Sequence, residues 1–421
     1  MSFMKKSAAG LVLTASALAA STAFAAGFQL TEQSSLGLGR AYAGAGIVGD
    51  DLSAVHYNPA GMTLLPGTQV QAGAVYIDVD AQYSSDVSDE SENGRLKGQL
   101  IPTGYTTLQV NDKLWLGFAM TVPFGMGTDY TEGWEGNDRG TSSKVYTFDM
   151  NPSFAYKVSD FISVGAGVSV QYAKATLGMQ QKMYVQNRGV DLYHSKVEAD
   201  SWDWGYNFGI MISPTDTMRF GLAYRSSIEH NAEGHTKLTN IQPITQMSRM
   251  EGIELATDVT LNTPDTVMLT ATWEATQDLR LSGLIRWANW SKFDELTFEM
   301  DMPGGGNQSS TIAPEWQDTW LFSVGADYRI NDTWTVRGGV AYETSAVDKQ
   351  ETRMAVIPDT DRLWLSLGAT YHVSDRMQFD IGGTYLMGVG DSELYNHGGQ
   401  KIGEYDTLDC YLFGAQMQYR F

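Results

Sequence analysis

Hydrophobic and polar residues alternate along most of this chain with a period of two. Over 163–172, Val164, Ala166, Val168, Val170 and Tyr172 share one parity, and Ser163, Gly165, Gly167, Ser169 and Gln171 the other. Over 363–372, Leu363, Leu365, Leu367, Ala369 and Tyr371 oppose Trp364, Ser366, Gly368, Thr370 and His372. The last stretch sets Tyr411, Phe413, Ala415, Met417, Tyr419 and Phe421 against Gly414, Gln416, Gln418 and Arg420. Successive side chains of a strand point to opposite faces, so each run predicts a β-strand with one apolar and one polar face. Soluble sandwiches also alternate, but seldom over ten or more residues; strands that cross a bilayer at a tilt must be that long.

Six short polar pairs each sit between two alternating runs: Asn111-Asp112, Ser159-Asp160, Thr215-Asp216, Gln277-Asp278, Asn331-Asp332 and Ser374-Asp375. The other connections are long and polar, at roughly 85–99, 126–142, 179–200, 230–254, 300–314, 346–358 and 391–404. Six short turns and seven long loops predict fourteen antiparallel strands, with both ends on the short-turn side. The fold class is therefore all-β, a 14-stranded antiparallel transmembrane β-barrel of the Gram-negative outer membrane. Trp115, Trp287, Trp290, Trp334, Tyr342 and Tyr371 are expected in its interfacial girdles.

The third strand, about 114–124, runs into Pro123, Phe124, Gly125, Met126 and Gly127. Proline removes a ladder donor, and glycine marks bulges. The pattern reads either as an ordinary strand end or as a kink that opens a hole in the wall. Unpaired backbone in lipid is tolerated only beside protein or water, so a hole there needs a use.

Ahead of the strands, Lys5 and Lys6, the apolar run Ala8 to Ala20 and Ala23-Phe24-Ala25 make a cleavable secretory signal over 1–25. Residues 26–66 are small, weakly apolar and broken by glycine, a poor autonomous domain. They predict a hatch inside a barrel formed by 67–421. No later stretch holds about 18 uninterrupted apolar residues, so no helical anchor is expected. The high glycine and aromatic content (44 Gly, 21 Tyr and 11 Trp) suits a barrel that carries its apolar surface outside. Cys410 is the one cysteine, so no intrachain disulfide forms; parity points it inward. A net charge of −21 argues against nucleic acid as a partner. The acidic outer loops read as a solvated face, or as a surface meeting divalent cations on lipopolysaccharide.

Arg219, Arg225, Arg286, Arg337, Arg362 and Arg420 fall on the lumen parity. A lumen that excludes bulk water cannot hold them unpaired. Glu32, Asp50, Asp51, Asp359 and Asp361 are the partners the sequence offers. The set reads as a structural ladder between hatch and wall, or as one containing a ligand-binding cation, with Arg225 or Arg362 in that role. No enzyme site emerges. The six histidines lack metal-ligand spacing, and no Gly-x-Ser-x-Gly is present. No metal or cofactor is called for.

These residues resemble the FadL family of outer-membrane transporters for long-chain fatty acids and other hydrophobic compounds. The likeness spans essentially the whole mature chain. It is sharpest in Ala26-Gly27-Phe28-Gln29-Leu30, Gly37-Leu38-Gly39-Arg40-Ala41-Tyr42, Asp50-Asp51, Asn58-Pro59-Ala60, Gly73-Ala74-Val75-Tyr76-Ile77-Asp78 and Ile357-Pro358-Asp359-Thr360-Asp361-Arg362-Leu363-Trp364-Leu365-Ser366. It implies a monomeric barrel surrounded by outer-membrane lipid and lipopolysaccharide. Ligand is taken at outer loops, held in an apolar pocket at the mature N-terminus, and released sideways through a kinked third strand, with no energy source. On this resemblance Gly27 and Phe28 line the pocket, and Asn58, Pro59 and Ala60 form a rigid corner that gates the hatch. Pro123, Phe124, Gly125 and Gly127 frame the lateral opening.

There is one departure. Aligned on Tyr172-Ala173-Lys174-Ala175 and Trp290-Ser291-Lys292-Phe293, the chain has Met179 and Thr297 where fatty-acid carriers place cations for the carboxylate. Lys174, Lys182 and Lys292 lie nearby. This raises the standing of neutral, aromatic hydrocarbons as cargo. A structural or adhesive barrel, or phage receptor, is the reading from a different class.

Overall fold

The computed structural model describes residues 27–421 apart from 89–90, 94–97, 132, 186–187, 243–250, 294 and 304. The leader assigned to 1–25 lies outside the described residues, as does Ala26.

Fourteen antiparallel strands form a closed barrel. In order they are β1 (Thr68–Ser85), β2 (Ser91–Asn93 and Gln99–Gln109), β3 (Leu114–Thr121 and Gly125–Asp129), β4 (Ser142–Lys157) and β5 (Ile162–Val185). There follow β6 (Arg188–Thr215), β7 (Met218–Arg225 and Glu229–Thr239), β8 (Glu254–Asn262 and Thr266–Glu274) and β9 (Leu279–Ala288 and Leu296–Asp301). The last five are β10 (Asn307–Ile312 and Thr319–Arg329), β11 (Trp334–Glu343), β12 (Arg362–Ser374), β13 (Met377–Gly388 and Glu393–Tyr395) and β14 (Lys401–Arg420). β14 closes on β1 from Gln69↔Arg420 to Ser85↔Gly403.

The short turns are stiffened by their own side chains. Asn111 Oδ1 accepts from the amides of Lys113 and Leu114, Ser159 Oγ from Phe161 and Ile162, and Asn331 Oδ1 from Thr333 and Trp334. Such short polar residues mimic a backbone turn. The parity reading holds: Val168, Leu365, Leu367 and Phe413 face outward, while Ser169, Gln171, Ser366 and Gln416 are buried. Cys410 faces inward.

Two kinds of expectation are corrected. The stretches expected as loops at 179–200 and 300–314 are strand hairpins, with Tyr184 opposite Gly189 and Asp301 opposite Asn307. Their ladders continue past the stretch whose alternation is plain in the sequence. Trp115 and Trp290 are not girdle residues but point inward and are buried. Trp115 Nε1 donates to Leu65 O at 2.8 Å.

The segment ahead of β1 fills the lumen. It has one-turn helices α1 (Ser35–Leu38) and α2 (Ala54–Tyr57) and a 3₁₀ helix, Pro59–Leu64. Helices this short do not stand alone in water, so packing and wall bonds hold them. Leu36, Leu38, Tyr42, Ile47, Leu52 and Met62 are fully buried. Gln416 Oε1 accepts from Ser35 N (2.8 Å), and Ser323 Oγ donates to Ala41 O (2.6 Å). Charged bonds add to these. Arg40 pairs with Asp50 (2.9 Å) and with Asp327 of β10 (3.3 Å), and Arg280 of β9 pairs with Asp50 (3.1 Å). Arg337 pairs with Asp327 at 2.9 Å, and Arg219 reaches Glu274 at 3.9 Å. Arg420 instead donates to Asp375 O in a short turn. Breaking one partner of such a buried pair costs about 3–5 kcal/mol, because the other charge is stranded.

Candidate ligand pocket and wall opening

The wall parts at β3. Thr121 and Gly125 pair with Asp149 and Tyr146 of β4, so that side of the strand stays zipped. Toward β2 the ladder ends at Met120↔Gly104. Beyond it, Gln99–Thr103 of β2 pairs only with β1, and Gly125–Asp129 only with β4. Pro123 sits at the break, where a residue without an amide hydrogen costs no ladder bond. Gly127 lies beyond it, opposite Lys144.

The hatch supplies the missing partner. Leu30 N donates to Pro123 O (2.8 Å), and Gly125 N donates to Phe28 O (3.0 Å). Gln33 Nε2 donates to Val122 O (2.7 Å), and Val122 N donates to Gln33 Oε1 (3.2 Å). The N-terminal edge of the hatch therefore behaves as a short extra strand on the kinked one, satisfying backbone that would otherwise face the gap.

Phe28 turns from this edge into an aromatic box. Its ring lies 4.8 Å from that of Trp290, 5.5 Å from Phe293, 5.8 Å from Phe124 and 6.0 Å from Trp316. Trp290 reaches it because β9 breaks after Ala288 and a 3₁₀ turn, Trp290–Lys292, folds inward. Gly27 makes the approach possible. Its φ is +63°, and a Cβ there would lie 2.7 Å from Trp316 and 2.9 Å from Trp290.

Phe28 also forms part of the lining of an inner, largely apolar cavity. Met126, Leu177, Phe293, Phe298 and Met354 help to line it, and no Lys or Arg does among the described residues. Its polar lining comes from His230, Ser143 and Thr176. Leu177, Val197 and Phe298 also line an outer cavity that holds Met179, Tyr193, Leu238, Met300 and Met302. A third, polar cavity lies against Thr31, His56, Phe124, Gln171, Arg225 and Arg286. Gln171 links the two inner spaces, since its Oε1 lies 3.1 Å from His230 Nε2.

The sequence-selected residues do not converge on one spot. Phe28 lines the inner cavity, Met179 the outer one and Arg225 the polar one. Lys174 stands on the opposite parity from Ala173, is half-buried, and lines none of the three. Arg362 is spent on Asp359 and Glu343. Asp359 in turn accepts from Gly27 N (3.3 Å), so Arg362 anchors the start of the hatch at one remove.

Arg225, half-buried, is held in a different way. Nη1 donates to Ser169 Oγ (2.6 Å) and Nη2 to His56 O (2.9 Å), but no carboxylate comes within ion-pair distance among the described residues. Asp149 acts on it from farther away. Burial, and then Arg225 and Arg286, hold the His56 imidazole well below its usual range, so it stays neutral beside the guanidinium. Glu32 lies buried near Arg286 and Arg362. Desolvation raises its carboxyl to about 7, Glu343 adds to the rise, and the two arginines oppose it.

Asn58 pins the hatch corner. Its Nδ2 donates to Ile210 O (3.2 Å) and Leu222 O (3.4 Å) in the wall, while its Oδ1 accepts from Ala60 N (3.1 Å) across Pro59. Trp290, Trp316, Gln33 and His230 complete the site, and sequence reasoning did not select them for it.

Residues 16–421 match the family model described as outer membrane protein transport protein (OMPP1/FadL/TodX). Outer membrane protein P1 of Haemophilus influenzae is 30% identical over 471 residues, covering 99% of this chain and 100% of its own. A long-chain fatty acid transport protein of Escherichia coli is 30% identical over 437 residues, covering 96% of each. The crystal structure of a Pseudomonas aeruginosa FadL homologue superposes with a TM-score of 0.83 at 24% identity, covering 94% of this chain and 100% of that one. The Ralstonia pickettii toluene transporter TbuX superposes at 0.70 and 18% identity, covering 94% and 99%; both structures speak to the fold. With a closed barrel, a lumen-filling N-terminal segment and a family match over nearly its whole length, the chain belongs to the OMPP1/FadL/TodX family of outer-membrane transport proteins.

Proposed function

We propose that this protein takes up long-chain fatty acids and similar hydrophobic molecules by passive diffusion. A ligand enters the outer cavity around Met179 and Met300, where flexible thioethers adapt to chains of varied shape. It moves over Leu177 and Phe298 into the inner cavity and rests against Phe28. Displacing Phe28 loosens the hatch edge from Pro123 and Gly125, and the ligand leaves sideways between β2 and β3. Lipopolysaccharide resists apolar solutes and a water-filled pore gives them no favourable path; an apolar pocket with a side exit gives both capture and release.

Arg225 supports a carboxylate cargo most directly. A half-buried guanidinium without a direct anion, linked through Gln171 and His230 to an apolar cavity, can take the acid head while the tail lies beside Phe28. The E. coli relative, a long-chain fatty acid transport protein by name, agrees. The cation-free lining of the inner cavity favours a second reading, neutral hydrocarbon, in which Arg225 is purely structural.

Binding of oleate and of toluene to the purified protein, with Phe28→Ala and Arg225→Met beside it, separates these readings. The fatty-acid reading expects both substitutions to weaken oleate about tenfold or more, and Arg225→Met to leave toluene unchanged. Toluene binding as tightly as oleate, with Arg225→Met silent for both, selects hydrocarbon. No binding of either ligand defeats transport and leaves the structural barrel.

A further inference from the structure

The wall parts a second time, between β6 and β7. The register runs from Thr215↔Met218 to Asn207↔Arg225 and resumes at Asp200↔Glu233. Ser226 N still donates to Tyr206 O (2.9 Å). Beyond that bond, Ser201–Gly205 is held by β5 alone, from Ala173↔Ser201 to Ser169↔Gly205. The facing part of β7 is held by β8, through His230↔Leu261 and the bond from Thr263 N to Ile228 O (3.0 Å).

Side chains close this gap where backbone does not. His230 Nδ1 lies 3.0 Å from Asp203 Oδ2 and 3.3 Å from Ser201 Oγ, and its Nε2 faces Gln171. Ile228 packs against Gly205. Behind this latch is the inner cavity, lined here by His230, Ala199 and Ala232. In front of it Trp202 and Trp204 stand 57% and 70% exposed, as aromatics do at a membrane interface. The gap begins ten residues along β6 from the turn at Asp216. At about 3.3 Å per residue and a tilt of about 40°, that is roughly 25 Å up, the level of the outer headgroups.

We propose that the gap between β6 and β7 is a side entrance through which hydrophobic molecules dissolved in the outer-leaflet interface reach the inner cavity. The proposal rests on the transport reading above and adds to it a route separate from the outer loops and from the β2–β3 exit. Opening it breaks no ladder bond. It parts side-chain hydrogen bonds, which water or a small polar head can replace, and the packing of Ile228 on Gly205. The favoured cargo is an alkyl or aryl molecule with at most one compact polar group. Entrance and exit then lie on different sides of the barrel, and a ligand crosses the cavity between them.

A disulfide staple tests the route. A Cβ on Gly205 would lie 2.8 Å from Ile228 Cγ1, so Gly205→Cys with Ile228→Cys, in a Cys410→Ala background, brings two thiols within bonding reach. Oleate uptake is measured in cells making the full chain, oxidised and then reduced, alongside equilibrium oleate binding to the purified protein. The expected result is uptake about fivefold slower when oxidised, restored by reductant, with binding unchanged. Uptake at the parent rate in the oxidised protein overturns the entrance; continued binding by the parent keeps the transport reading. A parent that binds neither oleate nor toluene fails that reading in its own assay and takes the entrance with it. Should the staple prevent folding, Asp203→Ala, which removes one side of the latch, is expected to quicken uptake. An unchanged rate there overturns the proposal equally.

Discussion

The side-chain amide of Gln33 brackets the backbone of Val122, donating to its carbonyl at 2.7 Å and accepting from its amide at 3.2 Å. One side chain thus does the work of a neighbouring strand at the point where β3 loses β2. Gln33→Leu keeps the approximate volume and leaves both groups unpaired, which costs about 2 kcal/mol. Amide exchange by mass spectrometry should show the Val122–Gly125 peptide exchanging faster by roughly tenfold or more, with peptides from β11 and β12 unchanged. Equal protection in the two proteins would show that the bracket carries no load.

Asn58 is the corresponding fixture at the other end of the hatch. Asn58→Ala removes two wall bonds and the cap on Ala60, and should loosen the corner by about 2 kcal/mol. Gly209→Ala attacks the same contact from the wall, because its Cβ would sit 2.0 Å from Asn58 Oδ1. Both variants are expected to raise ion conductance in planar bilayers. If both conduct like the parent, the corner is not a gate.

Glu32 gives the docked hatch a pH dependence. Burial raises its carboxyl from 4.5 to about 7, so the docked state holds a proton that the undocked state gives up earlier. Its contribution is fully present below the undocked value and is lost as pH rises through about 7, at about 1.4 kcal/mol per unit between the two values. Exchange at the Leu30 amide should therefore be faster at pH 8 than at pH 6, after correction for the intrinsic base-catalysed rate. Glu32→Gln should abolish that difference; a difference that persists in the variant would clear Glu32 of the role.

Parity was enough to place Val168, Leu365 and Phe413 outside and Gln416 and Cys410 inside, because lipid on one face and packed lumen on the other enforce the alternation. The expectation of aromatic girdles, by contrast, misplaced Trp290, because β9 leaves the sheet after Ala288 and the 3₁₀ turn folds the indole inward. It misplaced Trp115 because the lumen is plugged: a large indole can face inward where Leu65 of the hatch awaits it. The charge ladder was foreseen in kind, with Asp50 and Asp359 among its acids, but Asp327, Glu343 and Glu274 were not. Asp327 faces Arg337 directly across the β10–β11 pair, whereas Glu343 and Glu274 reach Arg286 and Arg219 only through strand pairing between segments more than fifty residues apart. Gln33 left no trace in the sequence, since its role depends on a strand break 89 residues away.

The seam between β1 and β14 bears on how such a molecule is made. The hatch immediately precedes β1, and the strand that seals against β1 is the fourteenth in chain order. Gln416 on that final strand bonds Ser35, and Gly414 leaves room for the same serine. The fourteenth strand thus meets both β1 and the stopper that fills the lumen, and its register is fixed against both. A chain whose stopper is missing or misfolded would close around a void or stall open at the seam. The contacts that hold the finished protein shut therefore also tie closure of the wall to a correctly placed stopper.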